Sequence, residues 1–219
     1  MKRCPSLHHP LHHRGLALLL LAGMAQAAPP DVPPDIPHMS RAEALRYLDD
    51  ERLALAPDNL PAPIMNGDLL KVEALLSAGI DPNGLGDVLP QSVLELAAGS
   101  CRNSRLQSGD VLRMIEVLLA HGAKANAPGM GGLSALMIAA QQCKPEIVRR
   151  LLKAGADINQ RTPQGYTPLS MAFIVGNLDT AEALIEAGAR LSAEAASKLL
   201  DGHKDDARYK ALVARARAK

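Results

Sequence analysis

The sequence predicts an all-α solenoid: short helix pairs stacked side by side, with helical caps at both ends. Three observations predict it. Glycines recur at a fixed interval, Gly122, Gly155 and Gly188 lying 33 residues apart, each closely preceded by an apolar pair, Leu118–Leu119, Leu151–Leu152 and Leu184–Ile185. Within one such period, Gly132 to Asn159, the residues spell two helices with signals at both ends. The segments flanking the periodic region depart from the pattern, as the ends of a stack must, because each has to hide an apolar face without a further neighbour.

The single period shows the logic. Ser134 stands where a side-chain oxygen caps the first free amides of an inner helix, and Leu136, Ile138, Ala139 and Ala140 give that helix an apolar face of small residues. Pro145 falls in the first turn of an outer helix, where a missing N–H costs nothing, and Ile147, Val148, Leu151 and Leu152 repeat at helical spacing. Gly155 ends that helix in the left-handed conformation after its C-cap.

Taken in order, residues 1–27 read as a secretory signal peptide. Lys2, Arg3 and Arg14 supply a positive start, Leu16 to Leu21 a short apolar run, and Ala25-Gln26-Ala27 a cleavage site. Residues 28–39 are proline-rich and read as an extended linker. Residues 40–59 are an N-terminal cap, with Ser40 opening a helix from Arg41 to about Ala56 whose apolar residues are Ala44, Leu45, Leu48, Leu53 and Leu55. The first unit, 60–91, begins with a helix that Pro61 and Pro63 hold short and continues after Asn66-Gly67-Asp68 into an outer helix, Leu69 to Ala78. The second, 92–132, opens at Ser92 and contains an insertion, 101–110, rich in Ser, Asn, Arg and Gly. The third is 133–164 and the fourth 165–192, opened by Thr167. Residues 193–219 form a C-terminal cap whose last helix runs from about Asp205 to Arg217, with Ala211, Leu212 and Val213 facing the stack.

A 33-residue period, the triplet Thr167-Pro168-Leu169 and the ending Gly155-Ala156-Asp157-Ile158-Asn159 resemble the ankyrin repeat. The resemblance covers about Leu60 to Ser192. It implies a non-catalytic module that binds another protein through its hairpin tips and the adjoining inner-helix face. Carried onto this chain, that surface is Met130, Gly131, Leu133, Gln141 and Gln142 in the third unit, and Arg161, Pro163, Gln164, Tyr166, Ile174 and Val175 in the fourth. Leu133, Ile174 and Val175 have packing as an equally good reading; Tyr166 and Arg161 are of the types that dominate interfaces. The sequence departs from the pattern where the family carries a His after its TPL triplet. Glu95, Met137 and Ser170 stand there, so the hydrogen bonds that usually tie adjacent units are in question.

Cys101 and Cys143 occupy equivalent slots between helices in adjacent units, where the family usually has the glycine that Gly67 and Gly176 retain. Neighbouring helices lie about 8–10 Å apart, farther than the roughly 7 Å a disulfide spans, but the insertion after Cys101 would bring that end inward. A disulfide is expected over two small buried thiols, given an oxidising compartment.

Composition removes other classes. Without the signal peptide's three basic residues, 21 basic residues of the 24 face 23 acidic ones, a net of −2, and with three Tyr, one Phe and no Trp the chain offers neither charge nor stacking for nucleic acid. His8, His9, His12 and His13 fall in the removed segment. His121 reads as a helix-end residue, and His203 with Asp205 and Asp206 as a helix start rather than a metal site. No hydrolase, zinc-protease or phosphate-loop motif occurs, so no cofactor, metal or catalytic residue is expected. The expectation is a periplasmic, or secondly secreted, monomer without a membrane anchor. Its partner would be one protein; inhibition of a toxin, or assistance to a periplasmic enzyme such as a catalase, are the alternative purposes.

Overall fold

The computed structural model describes residues 38–84, 90–127, 129–201 and 206–217. The signal peptide, linker residues 28–37, the turn at Gly202 and His203, and Asp205 lie outside them. Eleven α-helices are described: α1 (Arg41–Asp50), α2 (Pro61–Asn66), α3 (Leu69–Ala78), α4 (Val93–Gly99), α5 (Ser108–Ala120), α6 (Ala135–Gln142), α7 (Pro145–Lys153), α8 (Pro168–Ile174), α9 (Leu178–Glu186), α10 (Ala193–Asp201) and α11 (Ala207–Ala216). They form two layers. Helices α2, α4, α6, α8 and α10 stack as the inner layer, and α1, α3, α5, α7, α9 and α11 as the outer one. One core runs between the layers, holding Leu60, Ile64, Leu75, Leu94, Ile115, Leu118, Leu136, Leu151, Phe173 and Leu184.

The period has a backbone cause. At Gly155, the amide of Ala156 bonds the carbonyl of Leu151 and that of Gly155 bonds Leu152, with Gly155 at φ +85°. Two amides thus satisfy the last carbonyls of the helix, which demands a left-handed residue at the turn. The same pair of bonds recurs at Gly79, Gly122 and Gly188. The apolar dipeptide supplies both carbonyls while its side chains pack in or against the core, so dipeptide and glycine recur together. Inner-helix starts are equally regular: Ser92, Ser134 and Thr167 each accept the amide three residues on.

The N-terminal helix departs from expectation by ending at Asp50, not Ala56. Arg52 adopts φ +53°, and Leu53 and Arg52 donate their amides to Leu48 and Asp49. This is the same glycine turn with arginine in the glycine position, so α1 is an outer helix with no inner partner among the described residues. Only Ala44 and Leu48 of the expected apolar set are buried, and Leu45 and Leu55 are exposed. At the other end α10 lies beside α8 and α11 beside α9, so α10 and α11 form a fifth helix pair. Helix α11 starts at Ala207, capped by Asp206. Ala211 faces solvent; Tyr209, Leu212, Val213 and Ala216 make the buried face. Tyr209 meets the Phe173 ring edge-on at 5.0 Å and its hydroxyl donates to the Phe173 carbonyl at 3.4 Å.

Units are tied by asparagines. Asn83 Nδ2 donates to the Gly122 carbonyl at 3.0 Å while its Oδ1 accepts the Lys124 amide at 3.0 Å. Asn126 repeats both bonds one unit on, to Gly155 and Asp157, at 2.8 Å each. On the opposite edge Asn103 donates to Met65, and Asn177 and Thr180 to Cys143. Ion pairs cross the outer layer: Lys71 with Glu51, Arg150 with Glu116, Arg149 with Glu186, Arg208 with Asp179 and Arg215 with Glu182.

Candidate functional site

The outward side of the inner layer carries two openings, and the repeat explains the first. Two residues before each inner-helix turn stands an outward position, filled by Met65 in α2, Gly99 in α4, Gln141 in α6 and Ile174 in α8. Gly99 has open space where a Cβ would be, and a hollow of about 360 Å³ lies there, lined by residues including Met65, Glu95, Arg102 and Gln142. Gln142 Oε1 is enclosed with no hydrogen-bond partner among the described residues. Glu95 is buried, and burial pushes its carboxyl above the usual carboxylate range, though the amides of Met130 and Ser92 partly offset this. Its Oε2 accepts the Met130 amide at 3.2 Å, and a side chain at Gly129 would collide with it. Glu95 therefore ties the second unit to the third hairpin from the slot that raised the question in the sequence. Ser170, one of its equivalents, instead closes a capping box with Thr167.

The second opening lies between α8 and α10, which stands off from α8 more than α6 does on the other side. Its volume is about 450 Å³. The hairpin before α8 positions one wall. The Gly165 amide bonds the Thr162 carbonyl at 2.8 Å, the Thr162 amide bonds the Tyr166 carbonyl at 2.9 Å, and the Tyr166 amide bonds the Thr162 hydroxyl. This closed turn holds Tyr166 outward, 45% exposed, beside Ile174 at 51%. Pro163 in the same turn packs against Gly132 of the preceding hairpin, where a Cβ would meet its ring at 2.9 Å. Leu191, Ala195 and Leu199 line the other wall, with Arg161, Arg190 and Lys198 at the margins.

The structure divides the residues read from the sequence as partner contacts. Arg161, Gln164, Tyr166 and Ile174 all line the α8–α10 groove. Gln142 belongs to the hollow at Gly99. Met130 is exposed above Glu95, Leu133 is half-buried, and Gln141 donates to the Met171 sulfur at 3.1 Å. The groove's far wall, Arg190 to Leu199, was beyond sequence reasoning because α10 carries no repeat signal. Its only sequence cue is the cap Ser192, which accepts the Ala195 amide.

His121 is more than a helix-end residue: its Nε2 lies 3.1 Å from Glu73 Oε2 on the neighbouring outer helix. Burial opposes ionisation of Glu73, yet His121, the Ser77 hydroxyl and the Met39 amide outweigh it and hold the carboxyl below its ordinary value. The pairing spans 48 residues, so the local sequence could not show it. Cys101 and Cys143 are joined in a disulfide with their Cα atoms 5.3 Å apart. A one-turn 3-10 helix, Ser100–Arg102, prolongs α4 and carries Cys101 toward α6. Leu106, from the same insertion, covers Gly67, where a Cβ would collide with it. Among the described residues no group of His, Cys, Asp and Glu could hold a metal ion, and no helix is long and apolar enough to cross a membrane.

This fold of paired helices agrees with the comparisons to known proteins. The family model for ankyrin repeats, described as three copies, matches residues 62–162 and 104–195. The chain belongs to the ankyrin-repeat family. It is similar to the ankyrin repeat protein nuc-2 of Neurospora crassa, 38% identical over 52% of this chain and 10% of that protein. It is 35% identical to an ankyrin repeat and KH domain-containing protein of Caenorhabditis briggsae, over 68% of this chain and 5% of that one. With human protein phosphatase 1 regulatory subunit 27 the identity is 42%, over 37% of this chain and 53% of the other. The chain thus spans between a twentieth and about half of these relatives' lengths.

Proposed function

We propose that this chain is a non-catalytic adaptor that binds another protein along the fourth-unit hairpin and the α8–α10 groove. The observation that carries the reading is convergence. Arg161, Gln164, Tyr166 and Ile174, placed on the binding side by the repeat pattern, line one open groove in a family of repeat stacks. Tyrosine and arginine are the residue types that most often anchor interfaces, and an exposed tyrosine on a hydrogen-bonded turn loses little entropy on binding. One relative is named as a regulatory subunit of a protein phosphatase, which fits a role exerted on a second protein.

The same proposal places the adaptor in an oxidising compartment, exported to the periplasm. Its support is the apolar run Leu16 to Leu21 followed by Ala25-Gln26-Ala27, together with the Cys101–Cys143 disulfide. Affinity capture from an envelope extract by the full chain, compared with its Tyr166→Ala variant, tests the reading. One protein should be enriched by the native chain and reduced about tenfold or more by the variant, as for the loss of an interface anchor. Equal recovery by both would refute the surface.

A further inference from the structure

We infer that the occupant of the α8–α10 groove is an acidic peptide segment carrying an aliphatic or aromatic side chain. The inference rests on the protein-binding reading and adds the partner's chemistry. Its basis is the charge and lining of the groove, set beside the ion pairs of the outer layer. On the outer layer Lys71, Arg149, Arg150, Arg208 and Arg215 each face a carboxylate across a helix boundary. At the groove Arg161 Nη1 holds the Gly165 carbonyl at 3.4 Å, and Arg190 Nη1 holds the carbonyls of Ile185 and Ala189 at 3.2 and 2.8 Å. These bonds go to carbonyl oxygens, and neither guanidinium faces a carboxylate among the described residues. Lys198 is the third cation, and Glu194, the one lining carboxylate among the described residues, is held by it at 2.7 Å.

Three cations against one carboxylate is a local excess in a chain of 24 basic and 23 acidic residues. The rest of the lining is mixed: Tyr166, Ile174, Leu191, Ala195 and Leu199 supply its apolar part, and Gln164, Thr167, Ser170 and Ser192 its neutral polar part. An aliphatic or aromatic side chain would fill the groove and exclude water, while flanking Asp or Glu residues would reach Arg161 and Arg190. Carboxylates suit a guanidinium whose donor fork still has free N–H groups. A nucleic acid strand fits worse, because its affinity grows with the number of phosphates neutralised and the groove offers only three cations, one of them already held by Glu194.

The test pans random-sequence peptides displayed on phage against the full chain, then measures the enriched peptides by fluorescence anisotropy. The panel is the native chain, Tyr166→Ala, Arg161→Gln, and Arg161→Gln combined with Arg190→Gln. The enriched peptides should be net acidic with a Leu, Phe or Tyr. The double variant should bind them about tenfold more weakly with a flatter salt dependence, and Arg161→Gln alone should show part of that loss should Arg190→Gln disturb folding. Neutral or basic peptides that still require Tyr166 would overturn the acidic partner and leave the protein-binding reading standing. Peptides indifferent to Tyr166→Ala and to both arginine variants, or no enrichment at all, would remove the groove itself. A single-stranded oligonucleotide that binds more tightly than any enriched peptide would also overturn the inference.

Discussion

Glu95 shows how one residue can replace a family's device. It stands where ankyrin repeats usually carry histidine, and its carboxylate still reaches the next hairpin by accepting the Met130 amide. The substitution has a pH signature. Burial raises the folded carboxyl above its unfolded value, so the folded chain holds a proton that the unfolded chain releases, and stability falls as pH rises from the ordinary carboxylate range through the raised value. Glu95→Gln keeps an acceptor for Met130 without a charge to bury. Urea unfolding should find the variant more stable than the native chain at neutral pH, with the difference shrinking near pH 4 or below, about the ordinary carboxylate value. A variant less stable by the same margin at both pH values would show that burial is not the controlling cost.

At the scale of the element, helix endings decide the architecture. Four outer helices end on glycine with the same two hydrogen bonds, whereas α1 ends on Arg52 at φ +53°. An L side chain in that conformation is strained, by about 1–2 kcal/mol per residue in the left-handed region. Arg52 is exposed, so nothing in the core depends on its side chain. Arg52→Gly should therefore stabilise the protein by about 0.5–1 kcal/mol, less than the full strain because glycine also frees the unfolded chain. Thermal unfolding checks this, and a lower melting temperature would mean that the α1 turn is not strained.

For the molecule as a whole, adjacent units share most of the stabilising contacts, and one covalent link bridges two of them. The disulfide joins residues 42 apart in sequence, from the end of α4 to the turn after α6, and anchors the inserted loop. Closing a loop of that length in the unfolded chain is worth roughly 4 kcal/mol in the chain-entropy account. Replacing Cys101 and Cys143 together by alanine should cost the protein stability up to that amount in urea unfolding, with reductant having the same effect on the native chain and none on the variant. A native chain indifferent to reductant would show that the bridge carries no stability.

How much was legible follows from range. Gly155, the Leu151–Leu152 pair, Ser134 and Pro145 act within one turn of their own helix, so the sequence alone determined the period, the caps and the family resemblance. Apart from the Cys101–Cys143 bridge, expected from equivalent slots in adjacent units, pairings across tens of residues were decided only by the tertiary structure. Asn126 with Gly155, His121 with Glu73 and Tyr209 with Phe173 join partners on different units, and a chain read in order carries no signal of which residues a stack will bring together. The groove belongs to the same class. Arg161 and Tyr166 were visible as hairpin residues, but the opposing wall from Arg190 to Leu199 exists because α10 packs loosely on α8, and such a distance is set by the packing of both layers together.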